Sequence, residues 1–211
     1  MAANPLCLKA PGALARLGPL MLALALTLGL AGCDRPPAAP RFDGIDITGA
    51  AYARHLDLPD TSGRMRHLAD FKGRVTVVFF GYTQCPDVCP TTMLELAQAR
   101  KLLGAEGARV QGVFVTIDPA RDTPAVLQAY VQNFSPDFVA LRGDEAQTEA
   151  AAKEFKVFYA KVPGDAPGSY TMDHTAGSFV FDPEGRVRLF VRYGAGVDKL
   201  VHDLKLLLAG Q

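Results

Sequence analysis

Two cysteines four positions apart carry the clearest chemical signal in this sequence. Cys85 and Cys89 lie in the segment 81–90, which reads GYTQCPDVCP. At this spacing a helical turn brings both sulfur atoms towards one point. Such a pair forms a structural disulfide, acts as a redox dithiol or supplies two ligands to a metal ion. The spacing alone leaves all three open.

The elements around the pair predict its place in the fold. Residues 75–80 are β-branched or aromatic throughout, which is typical of a buried central strand. A helix is expected over residues 91–103, ended by Gly104. The pair therefore follows the carboxyl end of a strand, where α/β sheets place their sites. Because the positive end of a helix lowers the pKa of a nearby thiol, Cys89 is expected to favour the thiolate.

The rest of the folded region alternates strands and helices. Further strands and helices are expected, in chain order, at 109–117 (strand), 124 onward (helix), 138–141 (strand), 145–155 (helix), 178–181 and 187–191 (a hairpin) and 197–208 (helix). Residues 158–159 are expected to open another strand, and a hairpin over residues 56–68 precedes the first central strand. This order predicts a thioredoxin-like α/β fold: a mixed central sheet flanked by helices, with an N-terminal β-hairpin.

The N-terminus is predicted to export and tether the chain. Lys9 and Arg16 precede an uncharged, Leu/Ala-rich run over residues 17–30, the pattern of a secretory signal. The run ends in Leu30-Ala31-Gly32-Cys33, which resembles the lipobox of bacterial lipoproteins. This resemblance implies cleavage before Cys33 and lipidation of its sulfur. The alternative is an uncleaved membrane anchor, and both place the domain outside the cytoplasm.

This interpretation divides the chain into three parts: a signal peptide (1–32), a lipidated cysteine with a Pro-rich tether (33–43) and a folded domain (44–211). In enteric bacteria an Asp after the lipidated cysteine keeps lipoproteins in the inner membrane. Asp34 therefore predicts a domain that is lipid-anchored at the periplasmic face of the inner membrane.

Three separated segments resemble one protein family. They are the cysteine segment 81–90, the segment 116–124, which reads TIDPARDTP, and Asp173-His174-Thr175 before the last hairpin. In order and spacing they resemble the Sco/SenC copper proteins of respiratory oxidase assembly. The resemblance implies one copper ion per domain, Cu(I) or Cu(II), bound by Cys85, Cys89 and His174. The donor types agree, since thiolates suit Cu(I) and imidazole also suits Cu(II).

The resemblance implies a metallochaperone rather than an enzyme. Such a protein delivers copper to the binuclear copper centre of cytochrome c oxidase subunit II, or to another copper-site protein, and is expected to be a monomer. The alternative is a thiol–disulfide oxidoreductase in which Cys85 and Cys89 form a redox-active pair that reduces the cysteines of that copper site. A peroxiredoxin-like peroxidase, with Thr83 and Arg121 beside the reactive cysteine, leaves Cys89 and His174 without a role.

Two further observations restrict the function. Lys and Arg together number 22, as do Asp and Glu, so no basic surplus indicates a nucleic-acid partner. Generic thioredoxins place a cis-proline opposite the cysteine loop, but residues 170–180 contain no proline. That difference favours a metal-binding role for His174 and counts against an ordinary disulfide oxidoreductase.

Three acidic residues near the candidate ligands are assigned supporting roles, and the other histidines are assigned none. Asp118 and Asp173 are candidates to orient the ligands, with Asp173 fixing the tautomer of His174. Asp122 is expected to cap the following helix. The remaining histidines are expected at the surface: His55, His67 and His202.

Overall fold

Residues 41–211 are described by a computed structural model, and this part of the chain contains ten strands and four α-helices. The strands are Ile45–Asp46 (β1), Asp57–Pro59 (β2), Met65–His67 (β3), Val75–Gly81 (β4), Val110–Thr116 (β5), Val139–Leu141 (β6), Tyr159–Pro163 (β7), Tyr170–His174 (β8), Gly177–Phe181 (β9) and Val187–Arg192 (β10). The α-helices are Val88–Leu102 (α1), Pro124–Gln132 (α2), Glu145–Glu154 (α3) and Val197–Leu208 (α4). Two 3-10 helices span Leu68–Phe71 and Gly104–Arg109.

Six of the strands form one mixed sheet in the order β1-β10-β9-β4-β5-β6. Strand β4 runs parallel to β5, from Val75 opposite Val110 to Gly81 opposite Thr116. On its other side β4 pairs with β9 in the antiparallel direction. The thioredoxin-like mixed sheet and the N-terminal hairpin β2–β3 are therefore confirmed.

Strand β4 is buried along its whole length because both faces of the sheet are covered. Successive side chains point to opposite faces of a strand. Phe80 packs on Phe155, with ring centroids 5.0 Å apart, whereas Phe79 lies 5.9 Å from the ring of His174. The continuous apolar run thus fills the core on one face and supports the candidate site on the other.

Helix α1 begins at Val88, three residues before its predicted start at residue 91. Pro90 lies in the first turn of this helix, where a proline is tolerated because the backbone N–H groups have no partner within the helix. Cys89 therefore lies inside the first turn, whereas Cys85 lies in the preceding loop.

The hairpin β7–β8 was predicted only at its first residues. In the structure Tyr159 pairs with His174, so the candidate histidine is the last residue of a strand. Strand β8 mixes polar and apolar residues over five positions and lacks the apolar run that marks a strand in sequence. Strand β1, with two residues, was missed for a similar reason.

No helix within residues 41–211 is long and apolar enough to cross a membrane. The predicted signal peptide, the lipidation candidate Cys33 and most of the predicted tether lie outside the described residues.

Candidate metal centre

The structure brings Cys85, Cys89 and His174 together. The loop after β4 carries Cys85, the first turn of α1 carries Cys89, and the end of β8 carries His174. The Sγ atom of Cys89 lies 3.5 Å from Nε2 of His174. One ligand atom from each of the three residues lies within 4.8 Å of the other two. A single ion can therefore contact all three.

The separation between Cys89 and His174 suits a shared metal ion. Metal–sulfur and metal–nitrogen bonds of about 2.3 and 2.0 Å place the two donor atoms about 3.7 Å apart in a trigonal site. The observed separation of 3.5 Å between Cys89 and His174 is close to this value. Thiolates suit Cu(I), and an imidazole also suits Cu(II).

Backbone and aromatic contacts orient the imidazole of His174. Its Nδ1 lies 3.1 Å from the carbonyl oxygen of Thr175 and donates to it, which leaves Nε2 free to accept a proton or a metal. The rings of Phe79 and Tyr82 meet the imidazole edge-on at 5.9 and 6.1 Å. The side chain of Asp173 is exposed. The carbonyl oxygen of Thr175, and not the carboxylate of Asp173 as predicted, accepts the hydrogen bond that fixes the tautomer of His174.

The two thiols have opposite electrostatic environments. Hydrogen bonding from the Cys89 thiol holds the pKa of Cys85 down to about 5, with help from the backbone N–H groups of Asp87 and Cys89. The same hydrogen bond, together with burial, raises the pKa of Cys89 well above its usual range. In the apo protein the stable thiolate is therefore on Cys85.

The prediction that Cys89 favours the thiolate is wrong, and the helix geometry gives the reason. The backbone N–H of Cys89, in the first turn of α1, points to the Sγ atom of Cys85 at 3.4 Å. The positive end of the helix thus stabilises charge on the neighbouring sulfur. The sulfur of Cys89 itself belongs to a fully buried residue, and burial penalises its thiolate.

Gly81 makes room for the buried thiol, a role that was not predicted from the sequence. A Cβ atom at this position would lie 2.8 Å from Sγ of Cys89 and 2.8 Å from the ring of Phe79. Real Cβ atoms do not approach other atoms so closely, so any larger residue displaces the sulfur or the ring. A glycine that ends an apolar strand just before a cysteine pair is the signal that could have identified it.

Asp122 anchors the start of the cysteine loop and does not cap helix α2. Its carboxylate accepts hydrogen bonds from the backbone N–H of Thr83 at 3.1 Å and from the hydroxyls of Thr83 and Thr116 at 2.6 Å each. The cap of α2 is Thr123, whose hydroxyl accepts from the N–H of Val126. Burial raises the pKa of Asp122, because the fully buried carboxylate is shielded from water.

Asp118 was predicted to orient the metal ligands, but its side chain is buried. Its carboxylate is 1% exposed and accepts hydrogen bonds from the Tyr170 hydroxyl at 2.9 Å and from Nε of Arg121. The carboxylate therefore makes no hydrogen bond to Cys85, Cys89 or His174.

The other histidines lie away from this group. His67 contacts Asp57 in the N-terminal hairpin. His202 is about half exposed, with Nδ1 3.0 Å from Asp43 and 3.2 Å from Asp203. Asp43, His202 and Asp203 form the second group of potential ligands within the described residues.

The fold and the thiol–imidazole group define a thioredoxin-like protein with a candidate metal site made by two cysteines and one histidine. Residues 46–209 match the sequence pattern of the SCO1/SenC family, and the chain belongs to that family. The resemblance seen in the sequence is thereby confirmed.

Individual relatives agree with this assignment. The SCO2-like protein of Rickettsia felis is 35% identical over 168 residues, which cover 78% of this chain and 80% of that protein. The structure of Bradyrhizobium japonicum ScoI with copper bound is 36% identical, covers 72% of this chain and 96% of its own, and superimposes with a TM-score of 0.65. The apo Sco1 protein of Thermus thermophilus is 38% identical, covers 80% and 98%, and has a TM-score of 0.69.

Proposed function

We propose that this protein is a copper metallochaperone, and that Cys85, Cys89 and His174 bind one copper ion as cargo. The observation that carries the proposal is that these three residues, from three separate elements, place their donor atoms within 4.8 Å of one another. Relatives support the choice of metal, because the similar ScoI protein of Bradyrhizobium japonicum is described with copper bound.

The unequal burial of the three ligands suits transfer. Cys89 is fully buried, whereas Cys85 and His174 are each half-buried and reach the surface. A donor atom of a partner can approach Cu(I) from the exposed side before a ligand of this protein leaves. Three-coordinate Cu(I) permits this exchange, since thiolates on both proteins suit the ion. Binding requires Cys89 to release its proton, and a proton returns to Cys89 when the copper leaves.

We further propose that the recipient is the binuclear copper centre of cytochrome c oxidase subunit II, and that a lipid on Cys33 holds the protein at the periplasmic face of the inner membrane. The resemblance to the Sco/SenC proteins and the lipobox-like sequence support this proposal. Replacing Cys33 by Ser tests the anchor. Unchanged size and membrane partition of Cys33→Ser would instead indicate an uncleaved apolar anchor.

Oxidase assembly in copper-poor medium tests delivery. His174→Ala should impair assembly, because it removes one of three ligands, and added copper should partly restore it by mass action. His55→Ala is the matched control, since His55 is exposed and lies outside both groups of potential metal ligands. Normal oxidase assembly by His174→Ala without added copper would contradict delivery by this site.

The second candidate function is reduction of the target's cysteines, favoured by the opposite pKa shifts of the two thiols. The Cys85 thiolate would attack a disulfide of the target and form a mixed disulfide, which releases one target thiolate. Cys89 would then lose its proton and attack Cys85, which forms the Cys85–Cys89 disulfide and frees the second target thiol. Two electrons pass from this protein to the target, and a thiol reductant must supply them for another cycle.

Disulfide exchange separates the two functions. Reduction needs only the two thiols, so His174→Ala should still reduce a model disulfide at a rate close to that of the parent protein. Cys85→Ser and Cys89→Ser should fail in both exchange and oxidase assembly. If His174→Ala loses exchange and assembly together, the histidine has a redox role that copper delivery does not explain.

A further inference from the structure

We propose that Arg121 is a positioning residue that joins the cysteine loop to the hairpin β7–β8 and thereby places His174 beside the thiols. The consequence for metal binding rests on the proposed function, whereas the bridge itself is a property of the metal-free protein.

The guanidinium of Arg121 contacts both elements that carry the ligands. Its Nη1 donates to the side-chain oxygen of Gln84 at 3.1 Å and to the backbone carbonyl of Tyr170 at 2.8 Å. Gln84 directly precedes Cys85, and Tyr170 is the first residue of the strand that ends at His174. One side chain therefore spans the gap between the loop and the strand.

Buried and aromatic partners hold Arg121 in this position. Its Nε donates to the buried carboxylate of Asp118, which also accepts a hydrogen bond from the Tyr170 hydroxyl. The central carbon of the guanidinium lies 3.6 Å from the centroid of the Tyr170 ring and 5.7 Å from that of Tyr82. These ring contacts and the donation from two nitrogen atoms suit the planar guanidinium of Arg and cannot be reproduced by the point charge of Lys.

The hairpin needs such a bridge because its strands pair only with each other in the described part of the chain. An isolated two-stranded hairpin is marginally stable in water. Met172, in the middle of β8, is buried and anchors one face of the hairpin. Arg121 supplies a polar connection from the same strand to the loop of Cys85.

Loss of the bridge should affect the two oxidation states of copper differently. Two thiolates suffice to hold Cu(I), whereas Cu(II) depends on the imidazole. Residues that orient metal ligands typically change metal affinity by about 10–100-fold when they are replaced. We therefore expect Cu(II) affinity to fall by about tenfold or more. The change for Cu(I) should be several-fold smaller.

Two variants break the bridge without deleting the whole network. Gln84→Ala removes the contact to the loop and leaves the ion pair between Arg121 and the buried Asp118. Arg121→Lys keeps the charge beside Asp118 but loses the fork. Arg109→Ala is the matched control, because Arg109 forms an ion pair of the same i,i+3 type with Glu106 on the surface.

Hydrogen exchange in the reduced, metal-free protein tests the bridge directly. Amides of the cysteine loop, residues 83–85, should exchange faster in both Gln84→Ala and Arg121→Lys than in the parent protein or Arg109→Ala. Amides of residues 170–174 should also exchange faster in Arg121→Lys, because only this variant loses the fork that holds Tyr170. Unchanged exchange in both bridge variants would overturn the proposal. Because this measurement contains no metal, it decides on the bridge even if the parent protein binds no copper and the proposed function fails.

A double-mutant cycle tests whether Arg121 acts through the histidine. If it does, Arg121→Lys should weaken Cu(II) binding in the parent protein but cause no further loss in His174→Ala. Additive losses, or equal losses for Cu(I) and Cu(II), would show that Arg121 stabilises the fold generally and does not position His174.

Discussion

The Nε2 atom of His174 lies 3.5 Å from the sulfur of Cys89, although the two residues are 85 positions apart in the sequence. The contact joins the first turn of α1 to the end of β8, two elements with no backbone pairing between them. A metal bound there would join the cysteine segment to the hairpin. The site therefore exists only in the folded chain, and each of its ligands depends on a different element.

The reactivity of Cys85 should follow its lowered pKa. Iodoacetamide reacts with the thiolate, so alkylation of Cys85 in the reduced apo protein should rise with pH around a midpoint of about 5 and then level off. Cys89 should stay unmodified while the protein is folded, because it is fully buried. Mass spectrometry of the alkylated peptides measures both cysteines in one sample.

Cys89→Ala provides the control for this pH dependence. It removes the thiol that donates to Cys85, so the alkylation midpoint should move upward towards the ordinary cysteine value of about 8.5. Cys89→Ser keeps a hydroxyl donor and should shift the midpoint less. A midpoint near pH 5 that persists in Cys89→Ala would contradict the role of the Cys89 thiol in lowering the pKa of Cys85.

Gly81→Ala should disturb both stability and the site. The added Cβ would lie 2.8 Å from the sulfur of Cys89, so the protein must shift a buried group. Overpacking of this kind costs about 1–3 kcal/mol, measured as the free energy of unfolding in urea. Copper affinity should fall with it, because the displaced atom is a ligand.

Gly63→Ala separates this effect from ordinary backbone strain. Gly63 has a φ of 85° in the N-terminal hairpin, with no atom within 4 Å of an added Cβ. An alanine there costs about 1–2 kcal/mol of conformational energy. It should leave copper affinity unchanged. Equal copper affinities for the Gly81→Ala variant and the parent protein would contradict the proposed role of Gly81.

Asp122 should make stability depend on pH in a defined direction. Because folding raises its pKa, the protonated carboxyl is favoured in the folded state. Its contribution is full below the ordinary carboxyl pKa and is lost as the pH rises through the raised value. The neutral variant Asp122→Asn should therefore gain stability relative to the parent protein as the pH rises from about 4 to 7.

Urea unfolding of both proteins across that pH range measures the difference. Asp122→Ala should lose stability at every pH, by about 1–3 kcal/mol, since it leaves the buried donors of Thr83 and Thr116 without an acceptor. A constant difference between Asp122→Asn and the parent protein would show that this carboxyl does not titrate as described.

The sequence predicted the elements that have strong periodic signals. The apolar run of β4 and the helical stripe of α4 lie where they were expected, because burial on the two faces of a sheet or on one face of a helix leaves a repeating pattern. Strand β8 has no such pattern, so His174 was placed before a strand and not at the end of one.

The electrostatics of the site could not be predicted from spacing. Whether the helix N-terminus stabilises the thiolate of Cys85 or of Cys89 depends on where one N–H group points, and the start of α1 was misplaced by three residues. The roles of Asp122 and Arg121 depend on contacts across the fold, to Thr83 and Tyr170, which no local pattern records. Local rules assigned Asp122 to a helix cap for that reason.

Anaerobic titration of the reduced protein with Cu(I) and Cu(II) tests the central claim most directly. The parent protein should bind one equivalent of Cu(I) in one titration and one equivalent of Cu(II) in the other. Counting of free thiols before and after each titration should show that Cys85 and Cys89 are no longer free once the ion is bound. His174→Ala should weaken Cu(II) binding far more than Cu(I) binding, because two thiolates alone suffice for Cu(I). Tight stoichiometric binding that survives replacement of both Cys85 and Cys89 by Ser would contradict the account.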